Sequence, residues 1–269
     1  MKNITLVTQE TMYHTLAARA LTQTLKHIDV DQVITFSDRE LLPGAKNIPV
    51  SHFPTVGHYC EFMLRGIAEH ITTDHVLFVQ WDAMAYDSAQ WTDQFLDYDY
   101  IGAPWPWYPE GRNVGNGGFS LRSRRLLEAC LDPKIKMDPT NPDAVNEDQL
   151  IGVAGRPYLE LTHGIRYPDT KLAAQFSYEL GEYQPSFGCH GPWNIIRFGD
   201  QDLVEFYIHN MSYVGWNIHK WHHLLLAITE RSCYNLLAPV MDQFNTHSPE
   251  LVQPVVAWLA WEHVFWKQF

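Results

Sequence analysis

The sequence has few features of a secreted, membrane-spanning or nucleic-acid-binding protein. Its four cysteines lie far apart without a CxxC pair, so we expect buried thiols in a reducing compartment rather than a disulfide framework or a zinc knuckle. With 19 Lys and Arg against 31 Asp and Glu, the net charge of −12 argues against binding to nucleic acid or anionic membranes. No run of about 18 apolar residues predicts a transmembrane helix, and the start of the chain lacks the apolar core of a secretory signal. These absences predict a cytoplasmic protein.

A hydrophobic content of 46% over 269 residues is sufficient for one large folded domain, or for one domain plus an appendage. Short apolar runs alternate with helical patterns in the first hundred residues, and they predict strands at 4–8, 32–36, 47–53 and 75–81. This alternation is typical of an α/β fold whose mostly parallel sheet is flanked by helices. Ligands of such sheets bind at the carboxyl ends of the strands. Candidate functional residues are therefore sought directly after each strand.

From about residue 195 the sequence becomes helical in pattern and rich in tryptophan, so we predict an α/β domain over residues 1–194 and a helical appendage over 195–269. The tryptophans of that appendage include Trp216, Trp221, Trp258, Trp261 and Trp266. Residues 251–266 are too short and too interrupted to cross a bilayer. We expect this tail to pack on the α/β domain; a contact in a homo-oligomer and a position on a membrane surface are the alternatives.

Two acidic positions are candidates for chemistry. Asp82 follows the apolar strand 75–81, where it could meet a divalent ion or a diphosphate, although an Asp there also suits a turn. Glu147 and Asp148 begin a helix for which Asn146 and Gln149 predict a capping box. Acids in a first helical turn need no function because they favourably meet the helix dipole. The functional alternative is a general base that takes a proton from an attacking hydroxyl.

Three further groups of residues carry a similar ambiguity. Gly117 and Gly118 follow Gly115 without the pattern of a phosphate loop or a dinucleotide fingerprint, so they allow either close approach to a ligand or a tight turn. His190 lies between glycines, in a loop by its sequence, and could bind a metal or a phosphate. The Pro-punctuated aromatics are not expected to build a core, and they could be platforms for a sugar, a hydrophobic lid or a partner contact. These aromatics are Trp105, Trp107 and Tyr108.

The order of these segments resembles the GT-A superfamily of nucleotide-sugar glycosyltransferases. The segments that carry the resemblance are VLFVQWDAMA, YIGAPWPW, VGNGGFSLRS, NEDQLIG and FGCHGPW, and together they cover roughly residues 3–194. More narrowly, the chain is similar to a family of functionally uncharacterised proteins that carry GAPWP, GNGGxSLR and NED blocks on that fold.

The resemblance implies a role for each candidate. Asp82 and His190 would hold Mn²⁺ or Mg²⁺ on the donor diphosphate, with Gln80 in place of the first acid of the superfamily's Asp-x-Asp motif. Asp148 would be the general base of an inverting reaction, with Glu147 beside it. The aromatics named above would bind the acceptor. The residues implied in donor and nucleotide binding are Thr8, Glu10, Asp38, Gln80, Gly117 and Gly118.

We therefore expect a glycosyltransferase that moves a sugar from a nucleotide-diphosphate donor, with a UDP-sugar favoured, to a hydroxyl of a glycan or another acceptor. One alternative is a metal-dependent nucleotidyltransferase, although the segment Thr8-Gln9-Glu10-Thr11 lacks the glycines and the basic residue that such enzymes usually carry there. The other alternative is a non-catalytic sugar-binding module. Three arginines, Arg122, Arg124 and Arg125, are expected to lie mostly on a solvated helix face.

Overall fold

The computed structural model describes residues 3–214 and 216–258. The described residues form two compact units, one that ends at His190 and one that begins at Gly191. Trp261, Trp266 and the last part of the predicted tail lie outside the described residues. The predicted division of the chain into domains over 1–194 and 195–269 remains a proposal.

The first unit is built on a central six-stranded sheet and a smaller three-stranded sheet. The strands are, in chain order, β1 (Ile4–Gln9), β2 (Gln32–Phe36), β3 (Lys46–Ile48), β4 (His75–Val79), β5 (Ala83–Ala85), β6 (Tyr100–Gly102), β7 (Phe119–Ser123), β8 (Ser177–Tyr178) and β9 (Gly188–His190). The central sheet has the order β3-β2-β1-β4-β7-β6. Strands β1 to β4 are parallel, whereas β7 is antiparallel to both β4 and β6.

Helices cover both faces of this sheet, which confirms the predicted α/β class with a mostly parallel sheet. The helices of the first unit are α1 (His14–Thr24), α2 (Val56–Glu61), α3 (Arg124–Ala129), α4 (Glu147–Gln149), α5 (Arg156–His163) and α6 (Thr170–Phe176). Successive residues of one strand belong to different core clusters: Leu6 packs with Leu21 of α1, and Val7 packs with Leu127 of α3. Side chains that alternate between the two faces of a strand produce this division.

Two local predictions differ from the structure. β3 is shorter than the predicted strand 47–53 because the chain reaches Pro49, which has no N–H to donate to a sheet. The capping box at α4 is wrong: Asn146 occupies the N-cap position, but its side chain caps no backbone N–H. Its amide nitrogen Nδ2 instead donates to Oε1 of Gln149 at 3.0 Å, so the two side chains bind each other.

The small sheet joins β8 and β9, which are close in sequence, to the distant strand β5. β9 pairs with β5 so that His190 lies opposite Ala83, and it pairs with β8 so that Cys189 lies opposite Tyr178. Asp82 directly precedes β5, and Glu179 directly follows β8. The ends of three short strands therefore place an aspartate, a histidine and a glutamate next to one another.

The second unit is helical in its described part. Its helices of seven or more residues are α7 (Pro192–Phe198), α8 (Gln201–Asn210), α9 (Ile218–Glu230) and α10 (Leu237–His247). Its core contains Trp221, whose ring stacks between Tyr213 at 5.3 Å and Phe244 at 4.2 Å. Within the described residues of both units, no helix has the length and apolar character needed to cross a bilayer.

The cysteines are consistent with the sequence prediction. All four lie in the described part of the chain and none forms a disulfide. Cys60, Cys130 and Cys189 are buried as expected, whereas Cys233 is only partly buried. Burial raises the pKa of the Cys130 thiol to about 12, which keeps it protonated and unreactive at neutral pH.

Candidate active site

His190 lies between two carboxylates. Its Nδ1 is 3.0 Å from Oε1 of Glu179, and its Nε2 is 3.5 Å from Oδ1 of Asp82. The three side chains are only 14%, 11% and 13% exposed, respectively. We call this arrangement of Asp82, His190 and Glu179 the charged row.

Without a bound metal ion the charged row favours the protonated imidazole, and a metal ion bound at Nε2 would displace that proton. Burial alone would lower the pKa of His190, but the charges of Asp82 and Glu179 outweigh burial and raise this pKa well above its ordinary value. In the described part of the chain, one carboxylate oxygen of Asp82 is not satisfied by a hydrogen bond. Its Oδ1 is buried and has no hydrogen-bond partner within the described residues, apart from the long contact with the imidazole. A buried carboxylate oxygen in this state can accept a cation or a donor group from a ligand.

Gly118 forms the floor of this site because it has no side chain. A Cβ added at Gly118 would lie 2.4 Å from Nε2 of His190 and 2.8 Å from Oε1 of Gln80. The backbone N–H of Gln80 donates to the carbonyl of Gly118 at 2.9 Å. The side-chain Nε2 of Gln80 donates to the hydroxyl of Tyr59 at 2.7 Å. Three predicted site residues, Gln80, Gly118 and His190, are therefore brought together.

The chemistry of a metal site is present in part. Asp82 and Gln80 offer side-chain oxygens, which are the ligands that Mn²⁺ and Mg²⁺ prefer. His190 offers a ring nitrogen. Glu179 contacts the opposite side of the imidazole ring, so its carboxylate does not converge with that of Asp82. Within the described residues, no three His, Cys, Asp or Glu side chains are placed to hold an ion together.

Asp148 binds the neighbouring glycine. Its Oδ2 accepts the backbone N–H of Gly117 at 3.0 Å, and its Oδ1 accepts that of Gln149 at 2.8 Å. Burial and the adjacent charge of Glu147 raise the pKa of Asp148 to about 7, against the lowering effect of these two N–H groups and of Arg122. A carboxyl group that titrates near neutrality can take and return a proton at physiological pH.

Glu147 lies in a buried ion pair. Its Oε1 accepts a hydrogen bond from Nη2 of Arg122 at 3.1 Å, and their side chains are 5% and 0% exposed. Arg122 also donates from Nε to the hydroxyl of Ser120 at 3.0 Å. The expectation of a solvated helix face is wrong for Arg122, which belongs to β7 and whose charge requires a buried partner. Arg124 and Arg125, in contrast, are about half exposed, at 49% and 50%.

A cleft of 290 Å³ opens at the carboxyl ends of β1 and β4. We call it the first cleft, and its lining residues are Gln9, Glu10, Thr11, Met12, Tyr13, His52, Phe53, Thr55, Val56, Tyr59, Gln80 and Trp81. The rings of Tyr13 and Trp81 lie 4.6 Å apart. An aromatic wall of this kind can stack on a flat ring of a ligand.

The predicted nucleotide-binding residues are only partly assembled there. Glu10 lines the first cleft, but its Oε1 already accepts the backbone N–H groups of Thr11, Met12 and Tyr13, at 2.9, 2.6 and 2.9 Å. Thr8 is buried inside the sheet, and Asp38 is exposed at 2.5 Å from Nε2 of His14. Neither of these two lines the first cleft. Their role in nucleotide binding remains a prediction.

The aromatic loop is split between the interior and the surface. Trp105 is 3% exposed, so the expectation that these loop aromatics would not contribute to a core is wrong for this residue, whereas Trp107 is 58% exposed. The ring of Tyr108 lies 5.6 Å from that of Trp105, and its hydroxyl donates to Oδ1 of Asp143 at 2.6 Å. Trp105 also lines a second cleft, of 230 Å³, that includes Glu179.

Sequence reasoning missed the aromatic wall and Glu179. Tyr13 and Trp81 follow β1 and β4, which are neighbours in the sheet, so the carboxyl-end rule that selected Asp82 could have found them. No local pattern marks Glu179, because only the pairing of β8 with β9 brings its carboxylate to His190.

The chain has been compared with known proteins at three levels. A search of curated proteins gave no match. Among solved structures, a glycosyltransferase involved in the glycosylation of the major capsid of PBCV-1 is 12% identical, with a TM-score of 0.43 over 77% of this chain and 97% of the other. The galactosyltransferase LgtC, solved with donor and acceptor sugar analogues, is 12% identical, with a TM-score of 0.42 over 81% of this chain and 98% of the other.

A third structure, the mannosyltransferase PcManGT from Pyrobaculum calidifontis in complex with GDP-Man and Mn²⁺, is 13% identical, with a TM-score of 0.41 over 98% of this chain and 80% of the other. At TM-scores this low, these likenesses carry no argument about activity. Residues 44–190, more than half of the 269-residue chain, match the model of one protein family. The chain belongs to the family described as protein of unknown function (DUF5672).

Proposed function

We propose that this protein is a GT-A-type glycosyltransferase that transfers a sugar from a nucleotide-diphosphate donor, with a UDP-sugar as the favoured donor, to an acceptor hydroxyl. One observation carries the proposal: Asp82, His190 and Gln80 meet at Gly118, and the adjacent Gly117 binds the carboxylate of Asp148. The candidate diphosphate site and the candidate base thus contact two adjacent glycines, Gly118 and Gly117. The proposed catalytic part is residues 1–194, and the proposed location is the cytoplasm.

The residues present fit a divalent cation. The buried Oδ1 of Asp82 lacks a hydrogen-bond partner within the described part of the chain, and a Cβ at Gly118 would collide with His190, so only glycine leaves the imidazole in place beside Asp82. Asp82 and His190 would hold Mn²⁺ or Mg²⁺, with the side-chain oxygen of Gln80 nearby. Such an ion, when bound, stabilises the negative charge of a departing diphosphate. Glu179 keeps the imidazole oriented through Nδ1.

Asp148 is the proposed general base. Two backbone N–H groups, from Gly117 and Gln149, fix the direction of its carboxylate. A pKa of about 7 makes it a stronger base than an ordinary aspartate while leaving much of it ionised at neutral pH. A base that removes the acceptor proton as the oxocarbenium-like centre forms is the arrangement of an inverting transferase. Glu147 supports it as the partner of Arg122 rather than as a second base.

The first cleft is the proposed site for the nucleoside of the donor. Its aromatic wall of Tyr13 and Trp81 would stack on the base, and Gln80 lies both in this cleft and beside Gly118. A donor whose base occupies the cleft would therefore extend its phosphates toward Asp82. A first cleft with an aromatic wall next to the charged row suits a ligand that has a flat ring at one end and phosphates at the other.

The decisive experiment is to incubate the protein with a panel of nucleotide sugars and Mn²⁺ and to identify the released product. Release of a nucleoside diphosphate supports glycosyl transfer. When no acceptor is present, we expect slow release because water takes the place of the acceptor hydroxyl. Release of pyrophosphate from nucleoside triphosphates with sugar phosphates would instead indicate a nucleotidyltransferase. Binding of a sugar without either product would indicate a non-catalytic binding module.

The metal role has a separate test. Asp82→Asn should abolish the Mn²⁺-dependent part of nucleoside diphosphate binding in calorimetry while leaving the metal-independent part unchanged. Asp97→Asn is the matched control, because Asp97 is exposed and lies outside both clefts. Equal affinities of wild type and Asp82→Asn in the presence of Mn²⁺ would contradict the assignment.

A further inference from the structure

The second cleft is built differently from the first. Its volume is 230 Å³, and Pro104, Pro106 and Leu180 supply apolar surface, to which Trp105 adds little because it is only 3% exposed. Many of the other lining residues carry polar side chains. The residues that line it are Pro104, Trp105, Pro106, Asn113, Thr170, Ala174, Ser177, Tyr178, Glu179, Leu180, Gly181, Glu182 and Gln184. Apolar surface combined with hydroxyl, amide and carboxylate groups is the chemistry that recognises a sugar ring, whose faces carry C–H groups and whose edge carries hydroxyls.

Ser177 points to a ligand independently of the shape of the cleft. Its side chain is fully buried, and its hydroxyl has no hydrogen-bond partner within the described residues. A buried hydroxyl without a partner is costly, since it has lost water and gained nothing in exchange. Ser186, a comparable buried serine, is satisfied: its hydroxyl lies 2.7 Å from that of Tyr86 and donates to the carbonyl of Gly188 at 2.9 Å. A hydroxyl or amine of a bound molecule would remove the deficit at Ser177.

The charge of the second cleft restricts the occupant. Two carboxylates, those of Glu179 and Glu182, belong to its lining, and no Lys or Arg does. Phosphorylated or carboxylated molecules would be repelled, because no lining cation would offset their charge. An uncharged polyhydroxylated ring, or one that carries an amine, suits this lining.

The position of the second cleft relates it to the charged row. The first cleft includes Gln80 and Trp81, which directly precede Asp82, whereas the second cleft includes Glu179, at the other end of the row. Each cleft thus includes either a residue of the charged row or a residue next to one in sequence. We infer that the second cleft binds the acceptor of the proposed transfer reaction, and that this acceptor is a neutral or amine-bearing sugar. This inference rests on the proposed function.

The test uses the intact chain and three probes: methyl glucoside, glucosamine and glucose 6-phosphate. Saturation-transfer NMR should detect the first two and not the third. Ser177→Ala should weaken their binding by about three- to tenfold, which is the effect of one lost hydrogen bond. It should not lower the Tm, because no hydrogen bond within the described structure is removed. Ser186→Ala is the matched control, for which we expect a lower Tm and unchanged sugar binding.

A second variant tests the charge argument. Glu182→Gln should reduce the preference for glucosamine over methyl glucoside, whereas Glu128→Gln, an exposed residue outside the cleft, should not. Binding of glucose 6-phosphate in preference to the other two probes would overturn the inference, and so would failure of both neutral and amine-bearing probes to bind. A reduced Tm of Ser177→Ala with unchanged sugar binding would also overturn it.

Failure of the inference and failure of the proposed function give different results. If nucleotide sugars are turned over but Ser177→Ala leaves the acceptor KM unchanged, the acceptor assignment is wrong and the transferase assignment stands. If sugars bind in a Ser177-dependent manner but no nucleotide sugar is turned over, the second cleft is a sugar site in a protein that is not a transferase.

Discussion

The guanidinium of Arg122 and the carboxylate of Glu147 form an ion pair of 3.1 Å in the interior of the protein. The pair joins strand β7 to helix α4, and thereby fixes the position of Asp148, the next residue along the chain. Cationic and anionic groups that are both excluded from water depend on each other, since neither can be hydrated if its partner is removed.

Glu147→Ala should therefore destabilise the fold by about 3–5 kcal/mol, because it leaves the Arg122 charge buried without its carboxylate. Glu128→Ala is the matched control, since it breaks an Arg–Glu pair of 3.0 Å whose side chains are 49% and 60% exposed. We expect about 1 kcal/mol or less from this control. Chemical denaturation measures both values, and equal losses would show that burial of the first pair has no energetic consequence.

Asp148 should make the transfer reaction pH-dependent. Its pKa is raised to about 7 by burial and by Glu147, and only the deprotonated form can accept a proton. The value of kcat/KM should therefore rise as the pH increases through about 7 and level off above it. Asp148→Asn should lose transfer at every pH while it retains donor binding. A flat profile from one unit below to one unit above this pKa would contradict the assignment.

The same raised pKa has a consequence for stability with the opposite sign. A carboxyl group whose pKa is higher in the folded state binds its proton more tightly there than in the unfolded chain. The contribution of Asp148 to the free energy of unfolding is therefore present at low pH and is lost as the pH rises from the ordinary aspartate pKa of 3.8 to the raised pKa of about 7. As the pH rises toward 7, kcat/KM should therefore increase while the contribution of Asp148 to the free energy of unfolding decreases.

Gly118 should not tolerate even a methyl group. Gly118→Ala would place Cβ 2.3 Å from Cδ2 of His190, so the imidazole must move. A displacement of about 1 Å at a reacting centre reduces rates by about a hundredfold, and we expect a loss of that size in turnover. Gly57→Ala is the control, because its Cβ would meet nothing closer than 3.6 Å. Wild-type turnover of Gly118→Ala would show that His190 need not occupy this position.

Glu179 should act through His190. Glu179→Gln keeps a hydrogen-bonding side chain at Nδ1 but removes its charge, and we expect Mn²⁺ affinity to fall by about 10- to 100-fold. Calorimetric titration of Mn²⁺ without any donor measures this directly and does not depend on activity. Glu69→Gln provides the matched control, since Glu69 contacts His70 at 3.5 Å but is 78% exposed. Equal Mn²⁺ affinities of the two variants would exclude a positioning role.

Local sequence patterns were sufficient for much of the first unit. The apolar run of β4 predicts a buried central strand, and the end of that strand predicts where Asp82 lies. Ser123, a residue type that favours N-caps, lies at the N-cap of α3 and accepts the backbone N–H of Leu126. These features succeed because a strand or a helix end depends on residues that are close together along the chain.

The structure alone decides the features that depend on long-range pairing. Arg122 looks like one of three surface arginines in the sequence, yet its position on an internal strand buries it completely. Trp105 has the sequence surroundings of an exposed loop residue, yet it is 3% exposed. In both cases the burial of a side chain is determined by segments that are distant in sequence.

The sequence by itself determined the α/β class, the approximate positions of its first four strands and the identity of one acidic strand end, because each of these follows from periodicity within a few residues. Only the tertiary structure decided that His190 lies between Asp82 and Glu179, that Gly118 leaves room for that imidazole, and that two clefts adjoin the row. The physical reason is that β5 pairs with β9, which lies far away along the chain, and such pairing leaves no periodic pattern in the sequence.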